Sequence, residues 1–162
     1  MGGFRIGRKH AAHTYPESRA IGGAANGGVI VFGTDGLAFP VAFIPPGFNS
    51  QSATPTFDIE MPFRGNLTGM VVRQNTHGSG IGNVLYEVLI GGAPAPGLFV
   101  NMGLDEMDRG ATPAIPPPFL YNAAPPGADN TQRISVRATV TGGVRPAVLP
   151  EDITVTLAFS AT

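Results

Sequence analysis

The chain has 162 residues, of which 23 are glycine and 16 proline; 43% of its side chains are hydrophobic, 13% are charged, and the formal charge is −1. This is enough chain for one domain with a real core, and it is too apolar for a low-complexity polymer, although the glycine and proline content demands a turn-rich fold. With no cysteine in the sequence, disulfides and thiolate zinc sites are excluded, and no apolar run approaches the ~18 residues of a membrane-spanning helix.

Residues 1–25 differ from the rest. Arg5, Arg8, Lys9 and Arg19 against Glu17 give them a formal charge of +3, whereas residues 26–162 carry six basic and ten acidic groups, a formal −4. The segment shows neither helical nor alternating periodicity, so an extended arm is expected that orders only against a partner. In that arm Phe4, Ile6 and Tyr15 would be apolar anchors, and Arg5, Arg8, Lys9 and Arg19 would meet acidic groups. Its opening lacks the apolar core of a signal peptide, so Sec export is not expected. The expected organisation is therefore an arm over 1–25 and a folded domain over 26–162.

From residue 28 onward, short apolar or alternating runs are separated by turn clusters. "GVIVFG" (28–33) and "LAFPVAFI" (37–44) flank "TDG", which reads as a hairpin turn, and Pro40 marks the second run as an edge or bulged strand. "TFDIEM" (56–61), "NLTGMVVR" (66–73) and "NVLYEVLI" (83–90) alternate, and "GLFVNM" (97–102) follows the turn "GGAPAP". Residues 110–130 are too proline-rich for a helix or a central strand and read as a loop. In "RISVRATV" the residues Ile134, Val136, Ala138 and Val140 share one face, and in "DITVTLAF" Ile153, Val155, Leu157 and Phe159 do the same. About eight strands and no helix result. The expected fold is all-β, a jelly-roll-like β-sandwich of about eight strands with an extended N-terminal arm.

Chemical motifs are sparse. "NTHGSGIGN" (75–83) carries Gly78, Gly80 and Gly82, but Asn83 stands where a dinucleotide fingerprint needs its third glycine, and a strand rather than a helix follows. The stretch reads as a glycine-rich hairpin tip. Lys9 is the only lysine, so no phosphate-loop lysine exists in the domain. His10, His13 and His77 lack the spacing of a metal site, and Asp105, Glu106 and Asp108 form an acidic loop without the calcium-loop pattern. Any two of Asp58, Glu60 and Glu87 could meet across strands as a glycosidase pair, yet Asp58 and Glu60 fall on the wet face of their strand. No nucleophile motif is present. No enzyme activity, cofactor or metal is expected, and the acidic domain argues against nucleic acid as a partner.

The run from "IEMPFRGNLTGMVVRQ" through "NVLYEVLIGGAPAPGLFVNMG", with the later "TQRISVRATV" and the closing "EDITVTLAFS", resembles the jelly-roll domains of phage decoration and fibre proteins. It is also similar to the C-terminal heads of bacterial collagen-like surface proteins. Pro62–Thr68, Val84–Gly92, Leu98–Met102 and Ile153–Phe159 carry the likeness. The resemblance implies a non-enzymatic homotrimer on a virion or cell surface, and the favoured expectation is a capsid decoration protein made in the host cytoplasm. The expected partner is the major capsid protein or another virion protein, with no nucleic acid and no membrane. The alternative is a receptor- or carbohydrate-binding head, for which Phe119, Tyr121, Asn122 and Asp129 in "PFLYNAAPPGADN" would form the ligand or interface loop.

Overall fold

The structure, a computed structural model, describes residues 27–37, 40–48, 53, 59–61, 64–119, 133–142 and 148–162, with Phe48 and Glu60 described by backbone alone. The arm residues Phe4, Arg5, Ile6, Arg8, Lys9, Tyr15 and Arg19 lie outside these. Among the described residues every regular element is a strand: β1 (Gly27–Gly36), β2 (Val41–Ile44), β3 (Gly47–Phe48), β4 (Ile59–Glu60), β5 (Gly65–Thr76), β6 (Asn83–Ile90), β7 (Ala93–Gly103), β8 (Asp108–Ala111), β9 (Pro118–Phe119), β10 (Arg133–Thr141) and β11 (Glu151–Ala161).

They form two sheets that make a β-sandwich. The first has the order β3-β1-β11-β5-β8, with β9 also on β5; the second has the order β2-β10-β6-β7, with β4 also on β10. All pairings are antiparallel except β1 with β3. Alternation in the sequence dictates which face each strand buries. Ile153, Val155, Leu157 and Phe159 of β11 point inward, as do Val84, Tyr86 and Val88 of β6 and Ile134, Val136 and Ala138 of β10; on β5 a bulge opposite Ala158 and Phe159 switches the inward parity from Leu67 to that of Met70 and Val72. Each fully buried side chain of Val or Leu size removes enough apolar surface from water to contribute about 1.5–3 kcal/mol. Thus the β10 and β11 patterns that suggest a sandwich also hold it together.

Several sequence expectations give way to tertiary pairing. "TDG" is not a hairpin turn: β1 runs through it, with Thr34 opposite Ile153 and Gly36 opposite Glu151, because Thr34 fills a buried position and the ladder to β11 outweighs local turn chemistry. β2 lies in the other sheet, starts just after Pro40, and is an edge strand as Pro40 suggested. "NTHGSGIGN" is likewise a crossing between sheets, since β5 and β6 belong to different ones. Gly80 takes a positive φ of 108°, and Gly78 is required by proximity, because a Cβ there would collide with the Val148 carbonyl oxygen. The turn after β6 is shorter than "GGAPAP". Only Gly91 and Gly92, with φ of 59° and 83°, form it, and Ala93 and Pro94 already pair with Ile90 and Leu89. Two short strands interrupt stretches read as loop: β8 takes Asp108 from the acidic loop and pairs it with Arg73 of β5, and β9 falls inside residues 110–130. Of "TFDIEM" only Ile59 and Glu60 are a described strand.

Candidate functional site

One end of the sandwich gathers the crossings that follow β5, β7 and the segment leading into β11. Backbone bonds tie them together: Gly78 N–H donates to Leu104 O (2.7 Å), Gln74 N–H to Met107 O (2.7 Å), and Ser79 and Val148 exchange two bonds of 2.9 Å. Gln74 anchors this end from inside. It continues the inward parity of Met70 and Val72 and is completely buried, yet its amide is well partnered. Its Nε2 donates to Gly103 O (3.1 Å) and Glu106 O (2.6 Å), and its Oε1 accepts from the Tyr86 hydroxyl (2.9 Å). Burial pushes the Tyr86 phenol well above the usual tyrosine value, so it stays a neutral donor.

The acidic loop is built into the same end. Glu106 Oε2 accepts from Gly103 N–H (2.9 Å) and its Oε1 pairs with Arg109, whose other nitrogen donates to Asn101 O (2.6 Å). Glu106 is thereby committed to closing its own loop. No group of three or more His, Asp or Glu side chains that could hold a metal ion occurs among the described residues. His77 Nδ1 lies 3.2 Å from its neighbour's carbonyl, Gly78 O. Glu87 faces Arg137 across β6 and β10 in an ion pair of 2.8 Å, whereas Glu60 is opposite Arg133 on the other side of β10. Asp58 lies outside the described residues.

The second region is open to solvent. On the outer face of the first sheet, Val71, Arg73 and Asn75 of β5 and Thr154 and Thr156 of β11 line a shallow groove of about 330 Å³. Thr154 is opposite Arg73 and Thr156 opposite Val71, so the groove follows the seam between the two strands. Asn75 Nδ2 donates to Asp152 O (2.8 Å), which fixes the amide at the groove's upper end. Beside it β1 presents Val29 and Val31, exposed by 46% and 39%, and Val71 itself is 46% exposed.

Of the loop residues expected to face a ligand, Phe119 is placed in the core. It is fully buried in β9, with its ring 6.2 Å from that of Phe159 in an edge-to-face arrangement. Tyr121, Asn122 and Asp129 lie outside the described residues. Sequence reasoning missed Gln74 and the outer valines. A polar residue at an inward position of β5 signals the first, and the all-apolar run "VIVF", which leaves Val29 and Val31 on the parity opposite Ile30 and Phe32, signals the second. Compared with known proteins, the chain matches no family model, no curated protein and no solved structure.

Proposed function

We propose that the protein is a structural, non-catalytic component of a virion: a capsid decoration protein that associates as a homotrimer and docks on the capsid shell through residues 1–25. The observation that carries this reading is the strand order, β1-β11-β5-β8 in one sheet and β2-β10-β6-β7 in the other. We read it as a jelly roll, whose four nested antiparallel pairs are β1 with β11, β2 with β10, β5 with β8 and β6 with β7. Such a body is rigid and offers broad faces, and its described polar clusters are spent on their own loops. The basic arm and the acidic domain leave the arm as the part suited to a foreign acidic surface. The carbohydrate-binding alternative is weakened, because Phe119 is enclosed by the core.

The test is attachment. Full-length protein should bind particles or coat protein of the virus that encodes it, and a fragment of residues 26–162 should melt at nearly the same temperature yet fail to attach. Equal occupancy by the fragment would contradict anchoring by the arm and move the binding surface onto the sandwich.

A further inference from the structure

We propose that the outer face of the first sheet is the docking surface of the chain's own basic arm, residues 1–25, in the unattached protein. The inference goes beyond the reading above, because it gives the arm an intramolecular partner that an acidic shell must displace. The face is acidic. Asp35 of β1 and Asp152 of β11 stand next to the inward Thr34 and Ile153, and with Asp108 of β8 they set three carboxylates against one cation, Arg73, a formal −2 among the described residues. All four side chains are exposed. Asp35, Arg73 and Asp108 have no ion-pair partner among the described residues, and Asp152 accepts a bond of 3.2 Å from the Thr76 hydroxyl rather than from a cation. A second copy is a poor occupant, since acid would face acid, and nucleic acid is a worse one.

The arm supplies the missing cations, and its order along the chain matches the order of groups on the face. It joins the domain at the foot of β1, whose first residue is Gly27. Arg19 lies eight residues before Gly27, and Asp35 lies eight residues after it. Eight extended residues span about 26 Å. An arm that turns back at the small residues 22–26, "GGAAN", therefore brings Arg19 toward Asp35 and Asp152, and the long arginine side chain makes up the length that the turn uses. Ile21 then passes over Val29 and Val31, which are 46% and 39% exposed and stand between the foot of β1 and its acid. Glu17, the arm's only acid, shares a side with Arg19 in an extended chain, and Arg73 is the cation of the face. Exposed charge pairs are individually weak and are screened by salt. Tethering decides the outcome. A short flexible link gives an effective concentration of about millimolar, so a contact too weak to hold a free peptide is populated within one chain.

Limited digestion of the full chain by trypsin at low salt tests the proposal, with cleavage after Arg19 followed by mass spectrometry. Cleavage tracks the fraction of time the arm is undocked, so this bond should be cut at least about tenfold more slowly than in a synthetic peptide of residues 1–25. The triple variant Asp35→Ser, Asp108→Asn and Asp152→Asn removes the three carboxylates and should be cut at the peptide's rate. Its circular dichroism spectrum should be that of the unmodified chain, because all three side chains are exposed and asparagine tolerates the left-handed backbone at position 152, where φ is 50°. Arg19→Lys gives a second measurement that leaves the face untouched: carbodiimide should couple the new amine to Asp35 or Asp152 within a single chain. Cleavage of the unmodified chain at the peptide's rate would overturn docking, undiminished protection in the triple variant would refute this face, and a coupled product of two chains would refute docking within one chain. Each readout is made on free protein. Failure here thus leaves attachment by the arm standing, and loss of attachment leaves this contact standing.

Discussion

At the residue scale, Gln74 joins the two sheets to the acidic loop, and its value lies in what would be left unsatisfied without it. Gln74→Ala would strand the Tyr86 hydroxyl in the core and take a partner from the half-buried Gly103 and Glu106 carbonyls. Buried polar groups without partners cost about 1–3 kcal/mol each, so a loss of about 3 kcal/mol is expected in urea unfolding. Loss of less than about 1 kcal/mol would show that water replaces the side chain. Tyr86→Phe removes one bond and should cost about 1 kcal/mol. It should also change the pH dependence. The folded-state pKa of Tyr86 is raised by burial, so the unfolded chain releases this proton first. Stability from this group is therefore fully present below the ordinary tyrosine value of about 10 and falls as pH rises above it. Tyr86→Phe should flatten that alkaline decline; an unchanged decline would assign it elsewhere. Glu106 is engaged on both oxygens, so a chelator should leave the melting temperature unchanged, and a marked drop would make Asp105, Glu106 and Asp108 cation ligands after all.

At the element scale, the turn after β6 is decided by backbone conformation alone. Gly92 has a φ of 83°, and a Cβ there would meet nothing within 4 Å. Gly92→Ala should therefore cost about 1 kcal/mol through left-handed strain without any clash, as measured by thermal unfolding. A neutral effect would mean that the turn relaxes. The same elements show how legible the sequence was. β6 matches the alternating run 83–90 residue for residue, and β10 and β11 lie where period-two patterning puts them. Proline hid the first half of β7: Pro94 and Pro96 look like loop residues, but β7 is the edge of its sheet, where a missing N–H on the open side does no harm. β8 and β9 are only four and two residues long and gain their pairing from β5, so no local pattern announces them. The two misread turns share a cause. Turn chemistry marks where a chain can bend, and only the core decides whether the next strand pairs with the last or crosses to the other sheet.

At the scale of the whole molecule, the sandwich was legible because β6, β10 and β11 alternate cleanly. Its exposed face was not, because β1 reads as a uniformly apolar strand until its two parities are assigned to core and outside. Phe119 shows the converse. A phenylalanine in a proline-rich stretch suggests a ligand loop, yet its ring fills the space that Gly65 leaves open beside Phe159. The reading that unites these features is a rigid β-sandwich that self-associates and is carried to its partner by a basic arm. It is tested most directly by the mass of the unmodified protein in solution at micromolar concentration, measured by light scattering. The expected mass is three times the 16.7 kDa of one chain. A mass of two chains would keep self-association and refute the trimer, and a mass of 16.7 kDa would contradict the account.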